Sequence, residues 1–161
     1  MRQCCRIVGP LCCAAALCGA RPAAGAQLTG TPSDYTGKLS QLGPGDTLTL
    51  SAGTYSKGLN VNSLNGTAAK PIVIRGPASG VATIVGRSCC NTVEITNSSH
   101  VVVRGLTLDG KGLKGVFGVS AKGGDSNLSH HITIEGLTIV NHGASQQTVG
   151  ISTKTSTWGW V

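Results

Sequence analysis

The sequence predicts an all-β chain: a right-handed parallel β-helix of about four coils, closed at its N-terminal end by a short capping helix. Three observations carry this. His100-Val101-Val102-Val103-Arg104-Gly105-Leu106-Thr107-Leu108 returns as His131-Ile132-Thr133-Ile134-Glu135-Gly136-Leu137-Thr138-Ile139, 31 positions later at every matched pair, and self-similarity at a fixed period marks a stacked repeat. Within each copy, β-branched and Leu residues alternate with polar ones, the period of a strand that sends every second side chain into a core. Aromatic residues are only 3% of the 161 positions and 24 are Gly, so the core is expected to be thin layers of Val, Ile, Leu and Ala.

Residues 1–26 have the pattern of a secretory signal: Arg2 and Arg6, a mostly apolar run from Ile7 to Ala20, and the small-x-small triplet Ala24-Gly25-Ala26 before Gln27. The apolar run is short and interrupted by Pro10, so no membrane span is expected. A secreted, periplasmic or cell-surface location follows. Five of the seven cysteines leave with the signal, and only Cys89-Cys90 remains. Two adjacent cysteines at a turn read more simply as two small side chains than as a vicinal disulfide. With no C-x-x-C or Cys/His ligand spacing, neither a metal nor another cofactor is expected. Setting aside Arg2, Arg6 and Arg21 leaves 10 basic against 6 acidic residues, a net charge of +4. That balance suits an anionic polymer or plain solvent, and no nucleic-acid partner is expected from it.

Residues 27–46 are expected to form the N-terminal cap. Tyr35, Leu39 and Leu42 lie at i, i+4 and i+7 behind Ser33 or Asp34 as N-cap, which predicts a helix from about Asp34 to Gln41 covering the first open coil. Gly43-Pro44-Gly45-Asp46 then turns the chain into Thr47-Leu48-Thr49-Leu50, expected as the first strand. Residues 47–161 are expected to be the β-helix. In its first strand, Leu48/Leu50 are expected over Ile72/Ile74, then Val101/Val103, then Ile132/Ile134, at offsets of 24, 29 and 31, with Thr49, Val73, Val102 and Thr133 outward. Gly76, Gly105 and Gly136 mark the bend that follows. The second strand stacks Thr83/Thr107/Thr138 and Ile84/Leu108/Ile139, the second coil carrying an insertion, Pro77 to Val81. The third stacks Val93/Phe117/Val149, Ile95/Val119/Ile151 and Thr96/Ser120/Ser152, at offsets of 24 and 32. A leucine-rich repeat would need a different frame, and an antiparallel sandwich gives no reason for columns in register. The segment from Thr155 to Val161 reads as a turn leading into another strand without a cap, so either a C-terminally truncated form or an end covered by a partner is expected.

Coils stack about 4.8 Å apart, so columns become surface rows. Ser98, Lys122 and Lys154 are expected to form one row, offering lysines to an anionic polysaccharide or merely to water. Arg75, Arg104 and Glu135 form a second, read as an exposed ionic ladder. His100 and His131 share a column and read as a structural turn feature; His142 stands outside that pattern and is the third candidate for substrate binding, with Lys122 and Lys154. No catalytic residue is assigned, since no base has an orienting partner in the sequence. Asp109 and Asp125 lie in different turns with no acidic neighbour in their columns, so no calcium site is expected.

Pro44-Gly45-Asp46-Thr47-Leu48 with Ala52-Gly53-Thr54-Tyr55, and Asn65-Gly66-Thr67-Ala68 ahead of Pro71-Ile72-Val73-Ile74-Arg75, resemble the opening of secreted right-handed β-helix proteins of the pectin-lyase-like superfamily. The nearest likeness is to the chondroitinase B and alginate lyase group, over about Leu39 to Ile139. The resemblance implies an exported carbohydrate-active protein, the N-terminal part of a polysaccharide lyase acting on or binding an anionic polysaccharide. In that group a Lys, an Arg and calcium-binding acids act from later coils, so none is matched here and this chain alone is expected to be inactive. The alternative is a non-catalytic, adhesin-like surface β-helix.

Overall fold

The computed structural model describes residues 24–123, 128–142, 151–153 and 158–160. Most of the expected signal segment and Lys154 lie outside them. The elements are β1 (Gln27–Gly30), α1 (Tyr35–Leu39), β2 (Thr47–Leu50), β3 (Gly53–Tyr55), β4 (Leu59–Asn62), β5 (Ile72–Arg75), β6 (Ala82–Val85), β7 (Val93–Thr96), β8 (Ser99–Arg104), β9 (Thr107–Asp109), β10 (Val119–Lys122), β11 (His130–Glu135), β12 (Thr138–Val140), β13 (Ile151–Thr153) and β14 (Trp158–Trp160). They form three parallel sheets, in the orders β1-β2-β5-β8-β11-β14, β3-β6-β9-β12 and β4-β7-β10-β13. From β2 onward the chain visits the sheets in turn, so each coil lays one strand on each sheet. This is a parallel β-helix, and crossovers between parallel strands wind right-handed.

Alternation decides what faces in. Ile72 and Ile74 are fully buried while Val73 and Arg75 between and after them are not. Ile72, Val101 and Ile132 form one inward column, and Ile74, Val103 and Ile134 another. Each buried aliphatic side chain contributes about 1.5–3 kcal/mol. At the bend, the Gly76 N–H donates to the Arg104 carbonyl (3.0 Å) and the Gly105 N–H to that of Glu135 (3.2 Å). Gly105 has φ of 63° and Gly136 57°, a left-handed conformation that glycine adopts without the Cβ penalty.

The cap is partly as expected. Tyr35, Leu39 and Leu42 are buried against the first coil. The helix is shorter than expected, and the Asp34 side chain makes no capping bond to it. Instead Asp34 accepts from the Thr31 N–H (2.7 Å) and pairs with Lys38 (2.7 Å). The Lys38 bond, then that from Thr31, holds the exposed carboxyl at a pKa of about 2. The core also departs from its aliphatic expectation at this end. Tyr35 and Tyr55 are fully buried and meet edge to face at 5.0 Å, with their hydroxyls donating to the carbonyls of Gly58 (2.6 Å) and Ser51 (2.7 Å). The first strand is β1, which lies within the expected cap and pairs with β2. The Asp46 carboxylate ties the two together, accepting from the N–H groups of Ala26 (2.7 Å) and Gly43 (2.8 Å).

Two registers differ from expectation. Leu48 stands beside Ile74 and not Ile72, which moves Thr49 from the Val73 column to that of Arg75. Val93 stands beside Val119 and not Phe117, with Ile95 beside Ala121 and Thr96 beside Lys122. Both slips are of two residues. A one-residue slip would turn every side chain to the wrong face, but a two-residue slip preserves the alternation, so the apolar pattern alone does not separate the alternatives. The offsets of 29 and 31 in the first sheet, and of 32 between β10 and β13, are as expected.

Candidate functional site

The corrected register creates a surface that the expected one lacked. On the outward face of the third sheet, Asn60, Glu94 and Ser120 form one row and Asn62, Thr96 and Lys122 the next. Lys122 crosses diagonally to Glu94 and makes an ion pair with it. Its partly exposed position limits the pair to about 1 kcal/mol or less. Ser98, expected in the Lys122 row, is instead fully buried. Asn97, at φ of 49°, turns the chain at that point and breaks the alternation. The Ser98 Oγ accepts from the Leu64 N–H (3.1 Å) and donates to the Thr96 carbonyl (2.7 Å).

The turn between β6 and β7 rises beside these rows. The Cys90 N–H donates to the Arg87 carbonyl (3.1 Å), closing it. At its tip Cys89 and Cys90 are joined as a vicinal disulfide, where two separate side chains had been the simpler expectation. Two grooves of about 390 Å³ each flank the turn and share Cys90, Glu94 and Lys122. The first also takes in Asn60, Asn62, Arg87 and Thr96. The second reaches Asn91, Phe117 and Ser120.

Arg87 is the residue that sequence reasoning missed. Its guanidinium lies over Gly58, where a Cβ would come within 3.0 Å of Nη2. That Nη2 also reaches the Asn60 Oδ1 at 3.4 Å. The buried Nε has no hydrogen-bond partner among the described residues. A planar guanidinium with donors to spare is matched to a carboxylate. Gly58, in the left-handed region at φ of 68°, was the available signal, since a glycine there leaves room for a side chain from the next coil.

His142 is not in either groove. Its Nε2 lies 3.0 Å from the hydroxyl of fully buried Thr92, and its ring packs on Gly110, where a Cβ would meet it at 2.8 Å. Burial pushes its pKa below that of a free histidine, against smaller opposing effects of the Val140 backbone and Asp109. The unfolded chain therefore takes up that proton first as the pH falls. Stability is expected to be full above about pH 6.5 and to decline below it, down to the lowered folded pKa. In thermal unfolding against pH, His142→Gln should flatten that decline; an unchanged slope would show that His142 does not carry it.

Asp109 is occupied, accepting from the Lys111 N–H (2.9 Å) and Asn141 Nδ2 (3.0 Å). The Arg75, Arg104, Glu135 row is the exposed ladder expected: Arg104 meets Glu135 at 3.2 Å, and the Arg75 Nε donates to Thr49 Oγ1 at 2.9 Å. Among the described residues, no helix is long and apolar enough to cross a membrane.

No protein-family model matches the chain, and no curated protein does. Among solved structures, the chain is similar to the PL6 family alginate lyase AlyGC, with 24% identity and a TM-score of 0.55 over 71% of this chain. An arginine-to-alanine mutant of that enzyme aligns over 84% of this chain, at 21% identity and a TM-score of 0.63. The chain spans 15% and 19% of the length of those two structures. Likeness at this identity establishes the shared fold, the parallel β-helix.

Proposed function

We propose that this chain belongs to an exported, carbohydrate-active β-helix protein, and that the outward face of its third sheet binds an anionic polysaccharide. The observation that carries this is the first groove, whose lining brings the cationic side chains of Arg87 and Lys122 together with Asn60 and Asn62. Arg87 and Lys122 would meet uronate carboxylates, the asparagines would bond sugar hydroxyls, and the disulfide offers an apolar flank to a ring. The fold shared with alginate lyases supports a lyase reaction for the whole protein. Such a reaction removes the proton beside the carboxylate and stabilises the resulting enolate with a cation. The enolate then collapses to a double bond as the glycosidic C–O bond at the next carbon breaks and its oxygen takes up a proton. In this groove Lys122 is held by Glu94, which favours binding over proton abstraction here and keeps a non-catalytic, adhesin-like role as the second reading.

Calorimetry with oligomannuronate, oligogalacturonate and a neutral oligosaccharide tests the proposal. Only the uronates should bind, and Arg87→Ala should weaken them by about tenfold or more, as for loss of a charged hydrogen bond. Lys122→Gln should act in the same direction. Equal affinity for the neutral sugar, or no effect of either variant, would sink it. Appearance of unsaturated product with the chain alone would decide for catalysis within these coils.

A further inference from the structure

The first sheet holds a second cluster of side chains, away from the grooves. Ser99 pairs with His130 and Val101 with Ile132, so His100 lies over His131 in adjacent coils. In a regular strand, neighbours such as His130 and His131 point to opposite faces. Here they do not, because His131 has φ of 53°, and His100 in the coil before has φ of 51°. A left-handed residue other than glycine costs about 1–2 kcal/mol, and such strain gathers where a ligand must be held. Its effect is to bring three imidazoles together. His100 and His131 stack at 4.4 Å with 15° between planes, and His130 meets each of them nearly at right angles. The Nδ1 atoms of His130 and His131 lie 2.6 Å apart. One ring nitrogen from each of the three falls within 4.8 Å of the others. A cavity of about 250 Å³, lined by Thr67, Pro71, Val102 and Thr133 with His100 and His131, opens beside them.

We propose that His100, His130 and His131 form a binding site for a first-row divalent transition metal such as Zn²⁺. Three neutral imidazoles with a cavity at the open side are the donor set and the vacancy of a three-histidine zinc site. Nitrogens bound at about 2.0–2.1 Å around a tetrahedral ion are about 3.3 Å apart, so modest ring rotations convert the cluster into a ligand set, and His131 is exposed enough to rotate. Imidazoles suit Zn²⁺, Cu²⁺ and Ni²⁺, whereas Ca²⁺ wants oxygen ligands. Because the ligands come from two coils, a bound ion would staple the third coil to the fourth and stabilise the native chain by mass action.

The test uses the mature chain without an affinity tag, stripped by chelator and titrated with Zn²⁺ by calorimetry and thermal unfolding. The expected result is one saturable site and a rise in Tm, neither of them produced by Ca²⁺. His100→Asn and His131→Asn keep a residue that tolerates the left-handed conformation, so both should fold, yet each should bind Zn²⁺ at least about tenfold more weakly. His142→Gln should bind as the parent does. Co²⁺ should give the absorption of a low-symmetry site in the parent and lose it in His131→Asn. Absence of saturable binding, or equal binding by the parent and both Asn variants, would overturn the proposal.

Discussion

Gly76→Ala is expected to cost about 3 kcal/mol or more, enough to leave a domain of ordinary stability largely unfolded under mild denaturant. The reason is the approach of two backbones. A Cβ at Gly76 would overlap the Gly105 carbonyl oxygen and come within 2.9 Å of its carbon. Neither atom is at the end of a flexible side chain. Both belong to bends held in register by the Gly76 to Arg104 and Gly105 to Glu135 hydrogen bonds, so relief requires two coils to separate and the inward columns on either side to lose contact. The control is Gly37→Ala, within α1, where an added Cβ meets nothing within 4 Å. There the change should stabilise by about 0.5–1 kcal/mol through reduced freedom of the unfolded chain. Urea unfolding of both variants checks this, with opposite shifts in midpoint expected.

Ser98→Ala should cost about 1–3 kcal/mol, the penalty for a buried donor without a partner. The Ser98 hydroxyl is the acceptor for the Leu64 N–H, and both residues are buried. The Thr96 carbonyl, to which that hydroxyl donates, keeps a second donor in the Ser63 N–H (2.9 Å), so the loss falls on Leu64. Ser129 repeats the arrangement one coil on, accepting from the Ser98 N–H (3.2 Å) and donating to the Lys122 carbonyl (2.6 Å). Ser129→Ala should therefore cost about as much, and because Ser129 accepts from the Ser98 N–H the double variant should depart from simple additivity. Amide exchange localises the effect: Leu64 should exchange faster in Ser98→Ala, and Ser98 in Ser129→Ala. Unchanged exchange would contradict the buried-ladder account.

The architecture was legible because His100–Leu108 and His131–Ile139 repeat without insertion, so alternation and spacing agree. The site was legible only in part. Lys122 was found as an outward cation, but its neighbours were wrong, since a slip of two between β7 and β10 leaves the inward pattern intact while exchanging Ser98 for Thr96 and bringing Glu94 within reach. Ser98 was placed on the surface because left-handed Asn97 interrupts the alternation used to place it. β1 was hidden in the expected cap, as Leu28 is its one large apolar residue. Arg87 and the histidine cluster depend on contacts between coils, which linear ligand spacings do not express. His100 and His131 were found in one column, but His130 joins them only through the turn at His131.

The most direct measurement is amide chemical-shift mapping of the isotopically labelled mature chain with a short uronate oligosaccharide. The account predicts saturable shifts at Asn60, Asn62, Arg87, Glu94 and Lys122, with the outward positions of the first sheet, such as Val73 and Val102, unmoved. Shifts confined to the first sheet, or none at saturating uronate, would contradict a polysaccharide-binding face on the third sheet.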